Sequence, residues 1–153
     1  AILIGEALGH LGQSALLAEV FNRVEGDAPP VDLVAEKKHG EFILENAAWV
    51  TACTDISDGG LALAAFEMAE EACVGVSLDS EDTAELFGED QARYLVACNF
   101  DQAEALMAAA GKSGVPVACV GSFGGTKVRF GSSQAELAEL SKIFRSSFAA
   151  AVT

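Results

Sequence analysis

The most informative stretch of the sequence runs from Val50 to Met68, where an apolar segment leads through a polar turn into a helical pattern. Residues 50–53 are apolar and rich in β-forming side chains, and residues 55–60 combine two aspartates with two glycines. From 61 to 70 apolar residues recur at helical spacing. The order predicts a strand, a turn and a helix, with Ser57 or Asp58 as the helix cap.

The turn has features that both favour and oppose a ligand site. Gly59 and Gly60 would leave backbone N–H groups at the helix start open to a ligand. Asp55 and Asp58 would repel a phosphate there unless a cation such as Mg²⁺ bridged them. A structural cap, a hydroxyl or amide partner, and a cation-bridged phosphate all stay open at this point.

The other patterns predict helices and strands in alternation. Helical patterns cover residues 14–24, starting at Ser14, and 32–46, starting at Asp32; a third runs over 101–110, capped by Asp101 with Glu104 and ended by Gly111. Residues 133–136 read as a capping box opening a last helix with the apolar stripe Leu137, Leu140, Ile143, Phe144 and Phe148. Strand patterns cover 74–78, 94–98, 115–121 and 126–130, an exposed acidic turn covers 79–85, and Gly124 and Gly125 suggest a hairpin between the last two strands.

This series predicts an α/β or α+β fold, a mixed sheet covered by helices, with residues 1–153 as one domain. The chain starts at Ala1, directly in an apolar run and without a signal-peptide layout, so we expect a piece of a longer polypeptide. No apolar run reaches the length of a membrane span.

The charge balance excludes some functions. Nine basic residues stand against 23 acidic ones, a net charge of −14. Binding to nucleic acid phosphates or to an anionic membrane needs the opposite sign, so neither is expected. The one basic cluster, residues 37–39, is interpreted as a solvated helix face, with a phosphate-facing role as the alternative.

The four cysteines form no CxxC pair, and three of them, Cys53, Cys98 and Cys119, lie in apolar strand-like runs. We therefore expect buried free thiols and a cytoplasmic location.

Three motifs together carry a family resemblance. They are residues 9–14 (GHLGQS), 54–61 (TDISDGGL) and 86–94 (LFGEDQARY). They resemble the C-terminal domain of the superfamily that contains aminoimidazole ribonucleotide synthase. Within it, the third motif is most similar to that of the last domain of the phosphoribosylformylglycinamidine synthases, the large synthetase subunits of purine biosynthesis.

The resemblance implies a ligase that converts formylglycinamide ribonucleotide to the amidine, using ATP, Mg²⁺ and ammonia from a glutaminase subunit, in a complex with a small accessory subunit. It places the catalytic groups on other domains of the same chain and gives this domain an auxiliary or scaffold role, inactive by itself. A homodimer of the isolated domain is also expected. The alternatives are the C-terminal half of a related ATP-using enzyme, of the thiamine-monophosphate kinase or aminoimidazole ribonucleotide synthase type, or a non-catalytic binding domain.

No catalytic residue is expected in this chain. Carried onto the motifs, the resemblance gives these substrate or nucleotide cleft candidates: His10, Gln13, Ser14, Asp58, Gly59, Gly60, Glu89, Gln91 and Arg93. Asp55 is the candidate metal-facing carboxylate. Glu89, Gln91 and Arg93 would share one face if their segment were extended.

Two positions depart from the family pattern. Thr54 stands where similar enzymes often have histidine, so an acid–base role there is not expected. Asp90 stands where substrate-binding copies have serine, and its charge would disfavour a phosphate.

Overall fold

The computed structural model describes residues 1–151, apart from the side chains of residues 148–150. Its most buried helix is α2 (Gly60–Ala72), which contacts strands of two four-stranded sheets. The alanines at 62, 64, 65 and 69 are all buried, and their small side chains let both sheets approach the helix. The stretch singled out in the sequence therefore lies at the centre of the fold.

The strands divide into two sheets. The first sheet is wholly antiparallel, and the second contains one parallel pair, formed by Val76–Leu78 and Lys127–Phe130. In spatial order, the first sheet is β2 (Ala52–Asp55), β4 (Tyr94–Ala97), β1 (Ile2–Ile4) and β5 (Val117–Cys119). The second sheet is β6 (Gly121–Phe123), β3 (Val76–Leu78), β7 (Lys127–Phe130) and β8 (Ser133–Glu136).

Alternation along the first sheet fills two cores. Leu3 and Leu95 are cross-strand partners and join the core around α2, which also takes Leu78 from the second sheet. Ile2 and Val96, one position along each strand, join a second core with residues of helices α1 (Leu33–Glu45) and α4 (Phe100–Ser113). Because successive side chains of a strand point to opposite faces, both faces of this sheet are covered.

The predicted α/β or α+β class and the strand–turn–helix over residues 50–68 are confirmed, although the strands form two sheets rather than one. The predicted cap of α2 is wrong. Its N-cap is Gly59, whose φ of +80° is left-handed, and neither Ser57 nor Asp58 caps the helix. Within residues 1–151, no helix is long and apolar enough to cross a membrane.

Helix α1 begins as predicted, because the Asp32 carboxylate accepts the N–H groups of Val34 and Ala35 at 2.9 and 3.0 Å. Helix α4 differs at both ends. Its N-cap is Asn99, in a capping box with Gln102, so the predicted Asp101 cap is wrong. The helix also runs through Gly111 and ends at Gly114, whose φ is +63°.

The predicted amphipathic helix over residues 14–24 is wrong. Only one π-helical turn forms, Leu16–Val20, and none of its residues is buried. The Ser14 hydroxyl accepts the N–H of Leu17 at 3.3 Å, which is the capping contact without the helix. Val24, expected on the apolar face, is 79% exposed.

The last third of the chain departs most from prediction. The single strand expected over 115–121 divides at Val120 into β5 and β6, which belong to different sheets. Gly124 and Gly125 do not close a hairpin, because β3 lies between β6 and β7. The turn expected over 79–85 contains the start of a short helix, α3 (Thr83–Phe87), capped by Asp82.

Residues 133–136 form strand β8 against β7 and not the expected capping box. Helix α5 (Leu137–Ala151) follows directly, with Leu137 buried and Leu140 packed against the core. Its stripe is core only at this end, since Ile143 is 66% exposed. Phe148 lies outside the residues whose side chains are described.

The prediction of buried thiols is wrong. The four cysteines are free, but Cys53, Cys73 and Cys119 are exposed and Cys98 is half-buried. Cys53 and Cys119 belong to β2 and β5, the two edge strands of the first sheet. An edge strand has a neighbour on one side only, which is why an apolar strand pattern did not mean burial here.

Candidate functional site

The turn between α3 and β4, residues 88–93, holds two glycine-containing segments together. They are the first loop, residues 8–15, and the turn before α2, residues 56–59. The Glu89 side chain is buried, and its Oε1 accepts the N–H groups of Ala15 and Gly59, each at 2.8 Å. The Glu89 backbone N–H donates to the carbonyl of His10 at 2.8 Å. One residue therefore fixes the first loop and the start of α2 relative to each other.

Asp90 makes a second set of contacts with the first loop. Its Oδ2 accepts the N–H groups of Leu8 at 3.0 Å and Gly9 at 2.9 Å, and its Oδ1 accepts that of His10 at 3.2 Å. Successive backbone N–H groups that converge on one point form a concave site for an anion. In this chain the anion at that point is the Asp90 carboxylate.

Arg93 lies close to the carboxylates of Glu89 and Asp90 and is only 2% exposed. Its guanidinium donates from Nε to the carbonyl of Asp90 at 3.1 Å and from Nη2 to the carbonyl of Gly88. Nη1 lies 3.8 Å from Asp90 Oδ2 and has no hydrogen-bond partner among the described residues. Burial lowers the pKa of Arg93, while the charges of Asp90 and Glu89 oppose that shift.

Helix α1 fixes the other end of the turn through Ala92, whose φ of +57° is left-handed. Glu36 Oε1 accepts the Ala92 N–H at 2.8 Å, and His39 Nδ1 donates to the Ala92 carbonyl at 2.7 Å. His39 is 5% exposed, so its predicted place on a solvated face is wrong. Tyr94 donates to Glu36 Oε2 at 3.3 Å, and its pKa is raised by burial and then by the Glu36 charge.

A cavity of about 200 Å³ opens beside this turn. Asp55, exposed at the end of β2, lies on its wall together with Gln91 and Arg93. The full lining is Glu36, Asp55, Ile56, Ser57, Gln91, Ala92, Arg93 and Tyr94.

The motifs that meet here belong to one protein family. The model of the family "AIR synthase related protein, C-terminal domain" matches residues 1–130. The chain belongs to this family. The predicted superfamily is confirmed.

Sequence relatives within this family show which of its members the chain resembles. The PurL subunit of phosphoribosylformylglycinamidine synthase from Roseobacter denitrificans is 67% identical over 99% of this chain. The match covers 21% of that relative, so the chain spans about a fifth of the length of the curated relative. The predicted likeness to the synthases is confirmed.

Solved structures show the same fold. Thermotoga maritima PurL complexed with FGAR matches 92% of this chain and 27% of its own, with a TM-score of 0.74 and 19% identity. The same protein complexed with ATP gives a TM-score of 0.68 at 20% identity, covering 92% of this chain and 25% of its own. Thiamine-monophosphate kinase from Stenotrophomonas maltophilia gives 0.56 at 20% identity, covering 88% of this chain and 50% of its own.

The structure brings some of the family's candidate residues together and separates others. His10, Ser14, Gly59, Glu89 and Arg93 lie in or next to the carboxylate-bonded cluster, whereas the side chains of Gln13, Asp58 and Gln91 are exposed. The shared face expected for Glu89, Gln91 and Arg93 is wrong, because the left-handed Ala92 interrupts the extended backbone.

Three candidates have structural contacts in place of open ligand groups. His10 donates from Nε2 to the carbonyl of Asp27 at 2.7 Å, and Gln13 donates to the carbonyl of Gly26 at 2.8 Å, so both close the first loop. Gly60 is buried, and a Cβ on it would lie 2.7 Å from the Gly88 carbonyl oxygen. The expectation that Gly59 and Gly60 leave N–H groups open is wrong, because the Gly59 N–H donates to Glu89 and the Gly60 N–H donates to the carbonyl of Ser57 at 3.0 Å.

ATP and Mg²⁺, which the family resemblance implies, do not fit this chain's own site. The loop N–H groups that could hold a phosphate, those of residues 8–10, 15 and 59, already bind Asp90 or Glu89. In the part of the chain that the structure describes, no three His, Cys, Asp or Glu side chains are grouped so that they could hold a metal.

Sequence reasoning missed two groups that shape the cluster, Glu36 and His39. They lie three residues apart on α1 and therefore share a helix face, which was a usable signal. The adjacent lysines made the segment look solvated instead. Asp90 was noticed, but only as a residue unfavourable to a phosphate.

Proposed function

We propose that this chain is one domain of a phosphoribosylformylglycinamidine synthase. In that protein, formylglycinamide ribonucleotide and glutamine-derived ammonia give the amidine in purine biosynthesis, with ATP and Mg²⁺ on other domains. The observation that carries this proposal is the 67% identity to a PurL subunit over 99% of the chain. The kinase-type alternative rests on a shared fold only, at 20% identity.

Within the synthase, the domain has an auxiliary, non-catalytic role. Its loop N–H groups bind its own carboxylates, which leaves no donor set for a substrate phosphate. Asp55 is the remaining candidate metal-facing group, as a single exposed carboxylate on the cavity wall. A Mg²⁺ site needs only one or two protein carboxylates when phosphates supply the other ligands, so Asp55 would serve only together with a neighbouring domain.

The partners are the other domains of the same chain, a glutaminase subunit and a small accessory subunit, in the cytoplasm. Thermotoga maritima PurL has been solved as part of PurLQS, and free thiols suit a reducing compartment. The net charge of −14 disfavours nucleic acid.

A surface rich in exposed apolar side chains supports contact with neighbouring domains. Such residues are concentrated between positions 8 and 34, and part of this surface lines a cavity of about 530 Å³ with Leu8, Pro30, Val31 and Val34. Large exposed apolar patches mark interaction sites. In the isolated chain the same surface would support the expected homodimer, and sedimentation of wild type against Val31→Asp tests this. A wild-type monomer at all concentrations would contradict it.

The decisive experiment transplants residues 1–153 into the Roseobacter denitrificans subunit in place of its matching segment. With the glutaminase and accessory subunits present, we expect kcat/KM within about threefold of the parent. In the chimera, Gln91→Ala and Asp58→Ala should leave the KM for formylglycinamide ribonucleotide and the KM for ATP unchanged. An inactive, folded chimera would refute the assignment to the synthase.

Calorimetry tests the auxiliary role separately. We expect no saturable heat when the isolated chain is titrated with Mg-ATP, Mg-ADP or formylglycinamide ribonucleotide. Saturable binding of a nucleotide that Asp55→Ala abolishes would show a working site and contradict the auxiliary role, without affecting the assignment to the synthase.

A further inference from the structure

We propose that the free edge of strand β2 and the groove beside it bind an extended peptide segment that carries basic side chains at alternate positions. The segment belongs to another domain of the longer polypeptide, since the chain matches only 21% of its curated relative and most of that protein lies outside the match. This source of the segment rests on the proposed function. The chemistry of the binding site rests on the structure of this chain alone.

The first observation is the row of backbone groups that β2 leaves unpaired. In the described part of the chain, β2 is an edge strand and pairs with β4 only, with Asp55 opposite Tyr94. In continuation of this register, Ile56 donates its N–H to the carbonyl of Arg93 at 3.0 Å. Residues of an antiparallel strand direct their backbone groups to the two sides in alternation, so every second residue back from Ile56 faces β4. The N–H and C=O groups of Cys53 and Asp55 therefore point away from the sheet, where another strand can pair with them.

The second observation is a groove of about 470 Å³ alongside this edge. Helix α2 follows β2 through the turn of residues 56–59 and runs back along the strand, so that residues 52–54 form one wall and residues between 67 and 72 form the other. Met68 is half-buried, Phe144 of α5 is 41% exposed, and both line the groove. An added strand would therefore have apolar surface beneath the side chains that face α2.

The charges on α2 determine which segment the groove fits. Glu70 is buried, and its Oε1 accepts the Nε–H of Arg145 at 2.5 Å. Glu67 and Glu71 are exposed and form no ion pair among the described residues. They lie four residues apart, which is about 6 Å along a helix, and alternate side chains of a strand lie about 6.6–6.8 Å apart. Lysines or arginines at positions i and i+2 of the added strand would therefore meet both carboxylates, with their apolar stems over the groove floor.

The same charges disfavour a second copy of this chain as the occupant. Two copies paired edge to edge through β2 would bring Glu67 and Glu71 of one copy towards those of the other, and like charges repel. A basic segment is attracted to the same positions. The free edge and the carboxylates beside it therefore favour one chemical class of partner.

The first test titrates the chain with the capped hexapeptide Thr-Lys-Val-Lys-Val-Thr and follows the backbone amides by NMR. We expect saturable shifts confined to residues 52–55 and 67–71. The hexapeptide Thr-Glu-Val-Glu-Val-Thr has the same backbone and the opposite charge, and it should not bind. Equal binding of the two peptides, or shifts that map elsewhere, would overturn the proposal.

Variants on α2 test the contribution of charge. Glu67→Gln/Glu71→Gln should raise the Kd for the lysine peptide about three- to tenfold, because two exposed ion pairs are lost. Asp101→Asn/Glu104→Gln neutralises two exposed carboxylates on α4 and is the matched control, with a Kd like that of wild type. The same Kd for both double variants would contradict the pairing with α2.

A variant on β2 tests the backbone contacts. Cys53→Pro removes an N–H that points away from the sheet, a change that an edge strand tolerates, so this variant should fold and should not bind the lysine peptide. Cys53→Ser keeps the N–H and should bind like wild type. Unchanged binding by Cys53→Pro would refute strand addition. If circular dichroism shows that Cys53→Pro is unfolded, the two glutamate substitutions decide instead.

The source of the segment is tested in the Roseobacter denitrificans subunit that carries residues 1–153. The amides of Cys53 and Asp55 should exchange rapidly in the isolated chain and at least about tenfold more slowly in the chimera without other subunits. Protection that never develops, or develops only after the glutaminase and accessory subunits are added, would overturn the assignment to the same polypeptide. An inactive, folded chimera would refute the synthase assignment instead, and the peptide titrations would still decide whether the edge binds a basic segment.

Discussion

The carboxylate of Glu89 accepts the backbone N–H of Gly59, across 30 positions of sequence, at 2.8 Å. The same oxygen accepts the N–H of Ala15. The first loop and the central helix of the fold are therefore joined by a single buried atom.

Glu89 should consequently contribute strongly to stability. Each hydrogen bond to a charged group contributes about 1.5–3 kcal/mol, so Glu89→Ala should lower the free energy of unfolding by about 3 kcal/mol or more. Glu89→Gln keeps an acceptor oxygen and should cost less. Urea denaturation measures both, with the exposed Glu104→Gln as control. Equal losses of free energy of unfolding in Glu89→Ala and Glu89→Gln would show that Glu89 does not stabilise the chain through these hydrogen bonds.

Gly60 should tolerate no side chain. Its φ is +65°, and a Cβ would meet backbone atoms of residues 86–88 at 2.7 to 2.8 Å. Gly60→Val should cost more than about 4 kcal/mol, or prevent folding. Gly125→Val is the matched control, because Gly125 has a φ of +70° and open space around it. It should show only the backbone cost, about 1–2 kcal/mol. Similar melting temperatures for the two variants would contradict this account.

Substituting alanine for each of the two glycines near the end of α4 should change the stability of the chain in opposite directions. Gly111 lies within the helix, and a Cβ added to it would meet nothing within 4 Å, so Gly111→Ala should stabilise the chain by about 0.5–1 kcal/mol. Gly114 ends the helix at a φ of +63°, and Gly114→Ala should destabilise it by about 1 kcal/mol. Thermal melts of the two variants, compared with wild type, measure both changes in stability. A destabilised Gly111→Ala would mean that this helix end has been assigned wrongly.

Asp55 should affect the neighbouring thiol more than the fold. Desolvation and then the charge of Asp55 raise the pKa of Cys53. Asp55→Asn removes the charge, so the pKa of Cys53 should fall and its thiolate fraction at mildly alkaline pH should rise. Alkylation of Cys53, followed by peptide mapping, should then be faster, with Asp58→Asn unchanged. We expect Asp55→Asn and Asp55→Ala to change the free energy of unfolding by less than about 0.5 kcal/mol, and a Tm lowered by more than about 8 °C would show a structural role.

The sequence predicted what local pattern determines. Asp32 before a helical run, and an apolar strand followed by a glycine turn, are decided within a few residues, and α1, β2 and α2 formed where expected. Prediction from the sequence failed where the structure of a segment depends on another segment that packs against it. Residues 133–136 satisfy a capping pattern, but the edge of β7 offers them a ladder of hydrogen bonds, and they form a strand.

The candidate site shows the same division. The family resemblance rests on residues 9–14, 54–61 and 86–94, and Glu89 brings these three segments together in the fold. The sequence could not indicate which polar groups bind each other, because Glu89 and Asp90 differ from any other acidic pair only through the loops placed beside them. His39 is the clearest example, since its burial depends on the carbonyl of a left-handed Ala92 on another segment.

The single residue between β5 and β6 has a mechanical consequence. Val120 connects an edge strand of one sheet to an edge strand of the other, and its N–H donates to the carbonyl of Ala1. A connection of one residue has no slack, so neither sheet can separate from α2 without pulling on the other. Amide exchange in β5 and β6 should therefore proceed through one cooperative opening, and the two sheets should behave as a single unfolding unit.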